Sequence, residues 1–237
     1  MFCLQNLAIS EPVTIGSLPH VAPILLFIIS AVFGIRYSKR YLNEQQQNRV
    51  FNWLGILISG SIIVYHFYKI SAGNYNFATD LPLFLCSFMA LVIPVFTQTK
   101  RYWLYEVLLF WVIAGTTQGI ITPDISEGFL SLDYVRYWIV HLGLVSIMLY
   151  ATFVFGMRPT LKSVFKSFLA LQVYAVVILI LNWMLNANYS YLSRKPESAS
   201  AMDFLAEWPY YILQIELIVL PYFFLIFLLF RERKTKQ

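Results

Sequence analysis

Long apolar segments separated by short polar ones dominate the hydrophobic pattern of this chain. Each segment holds roughly 17–25 residues, the length that a helix needs to cross a bilayer. We place about seven such spans near residues 18–35, 50–68, 82–97, 102–121, 134–156, 165–185 and 209–230. The pattern therefore predicts an all-α, polytopic membrane helical bundle that forms a single integral membrane domain over residues 1–237.

The third predicted span is the shortest. It opens at Leu81 and Pro82, and a proline is well tolerated in the first turn of a helix. It also contains Pro94, which predicts a kink or a tilt. The main alternative is a count of six spans, in which the first apolar segment lies at the membrane interface.

Charge predicts the orientation of the bundle. Most cations fall in the segments that follow the first, third, fifth and seventh spans, whereas most acids fall on the other side. The positive-inside rule then places the N-terminus outside and the C-terminus in the cytoplasm. We expect a multi-pass protein of the plasma membrane. The longest loop, which follows the sixth span, is expected to be an ordered cap or a mobile lid.

Composition excludes several other classes of protein. The chain is 59% hydrophobic and only 12% charged, which is far too apolar for a soluble domain of 237 residues. Its net charge of +5 comes from short loops, so we expect no nucleic-acid partner. Cys3 and Cys86 are not expected to form a disulfide. The three histidines lack the spacing of metal ligands, so we expect no metal. We also expect no cofactor, because in the reaction considered below a lipid ester supplies the acyl group.

Polar residues within the predicted spans lie mainly in the outer half. Such residues are costly in a membrane and commonly have a function or a partner. Cys86 and His141 are expected at similar depths on the third and fifth spans. The supporting polar groups of this predicted pocket are Asn182, Asp124, Gln118, Glu216, His66 and Asp80. The sequence therefore predicts a polar pocket that opens toward the outer leaflet.

A thiol beside an imidazole supports nucleophilic chemistry. His141 would remove the proton of Cys86, and the thiolate would attack the carbonyl of a lipid ester to form a thioester. Asn182 would orient the histidine or stabilise the oxyanion. Each residue also has a structural interpretation: a lone cysteine in an apolar helix is commonly a small buried side chain. Asn182 would then cap its helix, and Glu216 would pair with His66 or His141.

Six short segments carry a resemblance to a known family. They are LPLFLCS at 81–87, GIITPD at 119–124, WIVHLG at 138–143, RP at 158–159, NYSYLSRKP at 188–196 and WPYYIL at 208–213. In this order the chain resembles the YwaF-like family of small bacterial integral membrane proteins, which is similar to eukaryotic transmembrane protein 164. The resemblance covers most of the chain from the second span onward.

The resemblance implies a function. The eukaryotic relative is regarded as an acyltransferase that moves an acyl chain onto ether lysophospholipids through a cysteine. A more distant group, the androgen-induced type of membrane hydrolase, cleaves fatty-acid esters with a threonine and a histidine. Carried over, the resemblance implies Cys86 as nucleophile, His141 as general base, and a membrane phospholipid or lysophospholipid as substrate.

The chain departs from its relatives at Asp80 and Phe84. Relatives carry a histidine just before the Leu-Pro-Leu segment and a polar residue just before Leu-Cys. If that histidine assists catalysis, the substrate or the activity of this chain differs from theirs. Asp80 is instead expected to pair with Lys69 or to bind a head-group amine.

The working hypothesis is a lipid acyltransferase or acyl-ester hydrolase of the outer leaflet. Two other classes stay open at this point. In the first, the polar cluster is the binding site of a transporter or of a lipid- or small-molecule-binding protein. In the second, the chain is an assembly partner of other membrane proteins. The sequence leaves the oligomeric state open.

Overall fold

A computed structural model describes residues 12–125, 128–196 and 200–232 of the chain. Over these residues it contains seven helices and no strand. The helices are α1 Leu18–Tyr41, α2 Glu44–Ser71, α3 Leu85–Thr99, α4 Tyr102–Ile121, α5 Leu132–Phe153, α6 Leu161–Leu185 and α7 Tyr210–Phe230. The predicted all-α architecture is confirmed. Cys3 lies outside the described residues.

Six of these helices are long and apolar enough to cross a membrane. The exception is α3, which has 15 residues and measures about 22 Å at 1.5 Å per residue. In the six-span alternative, the first apolar segment was the one that did not cross the membrane. Helix α1 has 24 residues, however, and is long enough to cross it. The multi-pass membrane class is confirmed, and the orientation of the termini stays a prediction.

Helix α5 lies at the centre of the bundle. Most of its side chains are buried, and it packs against α1, α2, α3 and α4. Gly143 of α5 allows a close approach of α2, because a Cβ at this position would lie 2.7 Å from the Ile58 side chain. A helix that is buried on most of its faces is suited to hold functional side chains at fixed positions.

Helix α1 lies at the edge of the bundle. More than half of its apolar side chains are exposed and none of them is fully buried, as expected for a helix that faces lipid. His20 fastens its first turn to α4, because its Nε2 lies 2.9 Å from the carbonyl oxygen of Ile120. The Gly16 N–H donates to His20 Nδ1 over 2.8 Å, so the ring proton sits on Nε2 and is donated to Ile120.

Helix α3 begins later than the sequence predicted. Pro82 does not lie in its first turn, because the helix starts at Leu85 and residues 81–84 form a non-helical entry segment. The Leu81 N–H donates to Tyr189 Oη over 2.9 Å, and the Leu83 carbonyl accepts from Tyr174 Oη over 2.7 Å. The predicted helix would use the Leu83 carbonyl, which here accepts from Tyr174 instead, so the prediction was wrong here.

The chain after α6 folds back as an ordered cap over its described part. Tyr189 is fully buried, and its hydroxyl donates to the Phe77 carbonyl over 2.7 Å. Tyr211 Oη donates to the carbonyl of Tyr191 over 2.5 Å, which ties the cap to the start of α7. The described residues of this loop therefore form the cap that was one of the two expectations.

Candidate functional site

Cys86 is the second residue of α3. Its Sγ lies 3.6 Å from Thr116 Oγ1 on α4, at sulfur–oxygen hydrogen-bond distance. Phe88 is the first residue of α3 whose N–H donates to the carbonyl four residues earlier, which is that of Phe84. The preceding N–H groups, including that of Cys86, have no such partner within the helix. The thiol therefore lies at the positive end of the α3 dipole.

His141 is buried in α5, and its geometry assigns its tautomer. Nδ1 lies 2.8 Å from the Tyr137 carbonyl oxygen. Because a carbonyl oxygen only accepts, Nδ1 carries the proton and Nε2 of the neutral ring carries a lone pair. The ring also stacks on that of Tyr137, with 3.9 Å between their centroids. The imidazole is thus held in one orientation, with its basic nitrogen on the side away from the Tyr137 carbonyl.

One turn of α4 contacts both residues. Thr116 meets the thiol of Cys86, and three residues later Gly119 meets the imidazole of His141. A Cβ at Gly119 would lie 2.8 Å from His141 Nε2, so only glycine lets the ring come this close. Tyr137 Oη donates to the Gly119 carbonyl over 2.7 Å and fixes the same turn. The segment 116–119 therefore links the predicted nucleophile to the predicted base.

A π-helical stretch, Val112–Thr116, leads into this turn of α4. Single π-turns within α-helices change which side chains face a neighbouring helix, and they occur frequently at functional sites. Here the stretch ends at Thr116, which is fully buried against Cys86. Thr116 and Tyr137 were not predicted from the sequence as members of the site. Gly119 was noted in the sequence only as the first residue of the GIITPD segment at 119–124, which carries part of the resemblance.

Asp124 and Tyr191 lie beside the entry segment of α3. Tyr191 Oη donates to Asp124 Oδ2 over 2.9 Å, and its ring packs 5.6 Å from that of Phe84, two residues before Cys86. Burial, together with the neighbouring Asp124 carboxylate, raises the pKa of Tyr191. Tyr191 therefore stays a neutral hydrogen-bond donor at physiological pH, and it connects the cap to the region of the thiol.

Three supporting residues of the predicted pocket have partners or exposure that differ from those we expected. Asn182 Nδ2 donates to the Tyr189 carbonyl over 3.0 Å, and the Tyr189 N–H donates to Asn182 Oδ1 over 2.7 Å. Both ends of the amide are thus occupied, as in the capping interpretation. Glu216 accepts from Gln172 Nε2 over 2.7 Å, a different partner from the histidines that we expected. Gln118 is exposed on α4.

His66 and Asp80 belong to a separate cluster at the end of α2. His66 Nδ1 lies 3.2 Å from Tyr75 Oη, and the Asp80 carboxylate lies 3.4 Å from Lys69 Nζ. The expected pairing of Asp80 with Lys69 is confirmed. Among the residues that the structure describes, no group of three or more His, Cys, Asp or Glu side chains is placed to hold a metal ion.

The bundle of apolar helices and its internal polar cluster define a multi-pass integral membrane protein. Comparison with known families gives a more specific result. Residues 15–227 match the TMEM164 family, and the chain belongs to that family. Searches among curated proteins and among solved structures found no match. The resemblance noted in the sequence is confirmed at the level of this family, whereas the likeness to the bacterial YwaF-like family stays a prediction.

Proposed function

We propose that this protein is a membrane-embedded lipid acyltransferase or acyl-ester hydrolase that acts through a thioester on Cys86, with His141 as general base. The observation that carries the proposal is that Cys86, in the first turn of α3, and His141 contact the same turn of α4. The substrate would be a phospholipid or lysophospholipid of the outer leaflet of the plasma membrane.

Three features favour the thiolate of Cys86. The N-terminal end of α3 contributes a partial positive charge, which is known to favour thiolates at helix N-termini. Thr116 Oγ1 is close enough to donate a hydrogen bond to the sulfur. His141 Nε2 carries the lone pair that accepts the proton, because Nδ1–H is donated to the Tyr137 carbonyl. The reactive form of the nucleophile is thus supported by groups from three helices.

The first half-reaction transfers the acyl group to sulfur. His141 Nε2 takes the proton of Cys86 as Sγ attacks the ester carbonyl carbon, which forms an S–C bond and a tetrahedral oxyanion. The N–H groups at the start of α3 lack carbonyl partners within the helix and are suited to stabilise this oxyanion. Collapse breaks the C–O bond, and the imidazolium of His141 returns the proton to the leaving alcohol.

The second half-reaction releases the acyl group. His141 removes a proton from an alcohol or from water, which attacks the thioester carbonyl and breaks the S–C bond; the expelled Cys86 thiolate then takes this proton from the imidazolium. An alcohol of a lysophospholipid gives acyl transfer, and water gives hydrolysis.

Asp124 supports this chemistry by holding Tyr191 next to the entry of α3. The mechanism needs no metal or cofactor, and it uses Asn182 only as a structural residue of the cap.

The test is the intact mass of purified protein that has been incubated with phospholipid, before and after neutral hydroxylamine. We expect an acyl-sized adduct that hydroxylamine removes and that Cys86→Ser lacks. The other cysteine of the chain supplies a matched control, since Cys3→Ser should keep the adduct. His141→Ala should slow formation of the adduct by about 10²–10⁴-fold, the usual contribution of a general base.

Two outcomes would contradict the proposal. An adduct that persists in Cys86→Ser but is lost in Cys3→Ser would place the reactive thiol outside the site. No adduct in any protein, together with thermal stabilisation by lipid that survives Cys86→Ser, would indicate a lipid-binding protein without covalent chemistry.

A further inference from the structure

The entry segment of α3 has a second backbone arrangement open to it. Pro82 would suit the first turn of a helix that began about one turn earlier, since its missing N–H costs nothing there. The observed helix begins at Leu85, because the ψ angle of Phe84 is 142°, in the extended region. A helix needs a ψ of about −42° at this position. Extension of α3 back to Pro82 would therefore rotate this bond by about half a turn and swing the preceding chain away from its present contacts.

The two arrangements differ in what the N–H groups around Cys86 do. Among the residues that the structure describes, none accepts a hydrogen bond from the N–H of Leu85, Cys86 or Ser87. In a helix extended to Pro82, the Cys86 N–H would donate to the Pro82 carbonyl, and the N–H groups of its two neighbours would be paired in the same way. The proposed mechanism uses these N–H groups to stabilise the oxyanion. Extension of α3 would therefore remove the donors that the reaction at Cys86 needs.

Hydroxyl groups from outside α3 hold the observed arrangement. The Tyr174 hydroxyl of α6 donates to the Leu83 carbonyl over 2.7 Å. The Leu81 carbonyl accepts from the Leu83 N–H over 2.7 Å, which closes a three-residue turn around Pro82. The Leu81 N–H in turn donates to Tyr189 Oη over 2.9 Å. The carbonyls of Leu81 and Leu83, which an extended helix would pair with N–H groups of α3, are thus occupied without a helix.

The cap that follows α6 belongs to the same hydrogen-bonded cluster. Ser190 Oγ lies 2.9 Å from Tyr174 Oη and 3.4 Å from the Leu83 carbonyl oxygen. The next residue, Tyr191, packs its ring 5.6 Å from that of Phe84. Ser190 and Tyr191 have φ angles of 55° and 54°, in the left-handed region that L-residues rarely adopt. Such backbone conformations persist only where the surrounding contacts enforce them, so the contacts between the cap and the entry segment are specific.

We propose that Tyr174 is a positioning residue for Cys86, because its hydroxyl, held between the entry segment and the cap, keeps α3 from extending to Pro82. The inference rests on the proposed function, since it names what sets the reactive state of the same thiol. Tyr189 assists through its bond to Leu81. The cap and the nucleophile are thereby coupled: displacement of the cap frees α3 to extend, and Cys86 then loses its N–H donors.

The test is nuclear magnetic resonance of full-length protein grown with ¹⁵N-cysteine, in which Cys3→Ser leaves Cys86 as the one labelled amide. Its amide proton should move downfield in Tyr174→Phe, because the N–H becomes hydrogen-bonded. We expect the ratio of extended to observed α3 to rise about fivefold, the bias that one lost hydrogen bond gives. Alkylation of the thiol by iodoacetamide should slow in the same variant. Tyr102→Phe is the matched control, because its hydroxyl also donates to a carbonyl over 2.7 Å, that of Arg158, beyond the far end of α3. It should change neither the signal nor the rate.

A second substitution separates positioning from folding. Leu85 is the first residue of α3, where proline is tolerated, and a proline there favours the extended conformation that Phe84 already has. With Leu85→Pro present, α3 cannot extend, so adding Tyr174→Phe should no longer slow alkylation. An unchanged Cys86 signal in Tyr174→Phe, an equal change in Tyr102→Phe, or slowing that persists with Leu85→Pro would overturn the proposal. Alkylation needs no lipid ester, so the expected signals without any acyl adduct would refute the proposed function alone.

Discussion

Substitution of Gly119 by alanine is the sharpest perturbation of the proposed site. The added Cβ would lie 2.8 Å from both Cδ2 and Nε2 of His141 and 3.0 Å from Tyr137 Oη. Ordinary contacts begin near 3.4 Å, so the imidazole or the turn of α4 would have to move by roughly 0.6 Å. Neither moves freely, because the ring is stacked on Tyr137, whose hydroxyl bonds the Gly119 carbonyl.

The substitution should lower both the stability of the protein and the rate of acylation. Overpacking of a core costs about 1–3 kcal/mol, and replacing a helical glycine by alanine returns up to about 1 kcal/mol. The net destabilisation of Gly119→Ala should therefore be about 0–3 kcal/mol. A misplacement of about 1 Å can cost 10²-fold in rate, so a shift of His141 by roughly half that distance should slow acylation of Cys86 by about 10–100-fold.

The assay is the rate at which the hydroxylamine-sensitive adduct forms, with the apparent melting temperature in detergent as the measure of folding. Gly60→Ala is the matched control, because it is also a helical glycine but has open space around the added Cβ. It should acylate at the wild-type rate and melt at the same or a slightly higher temperature. Wild-type rates of acylation in Gly119→Ala would refute the assignment of His141 as the base.

Two further substitutions test other parts of the structure. Thr116→Val should slow acylation of Cys86 about tenfold, because the thiolate loses one hydrogen-bond donor. Thr116→Ser keeps the hydroxyl and should restore the wild-type rate. Equal rates of acylation in the two variants would contradict the role of Thr116 as a donor. Asn182→Leu should lower stability by about 1–3 kcal/mol, because it leaves the N–H of Tyr189 unpaired and removes one of the two donors to the Tyr189 carbonyl. An unchanged melting temperature of Asn182→Leu would contradict that account.

The start of α3 illustrates how tertiary contacts override a local signal. Pro82 suits the first turn of a helix, yet the helix begins at Leu85. The hydroxyls of Tyr174 and Tyr189, both distant in sequence, bond the backbone at Leu83 and Leu81. The shift places Cys86 in the first turn of α3, which gives its thiol a favourable electrostatic position that the predicted helix would not have provided.

The supporting polar residues show why depth alone is a weak guide to contact. Cys86 and His141 were selected by depth, and both meet α4, so this pair is consistent with one site. Asn182 and Glu216 were selected in the same way, but they bond Tyr189 and Gln172 instead. Residues at equal depth on different helices meet only if their faces point toward each other, and the order of helices around a bundle is not encoded in hydropathy.

The sequence by itself determined the class of this protein. Its apolar segments are long enough to cross a membrane. In lipid such segments form helices, because a helix satisfies its own backbone hydrogen bonds. It also carried enough of its family's motifs to indicate the family that the comparison established. Only the tertiary structure decided which side chains meet. The approach of His141 to α4 depends on the missing side chain of Gly119 and on a π-helical stretch before it. Both are consequences of how neighbouring helices pack, which no periodicity along one helix records.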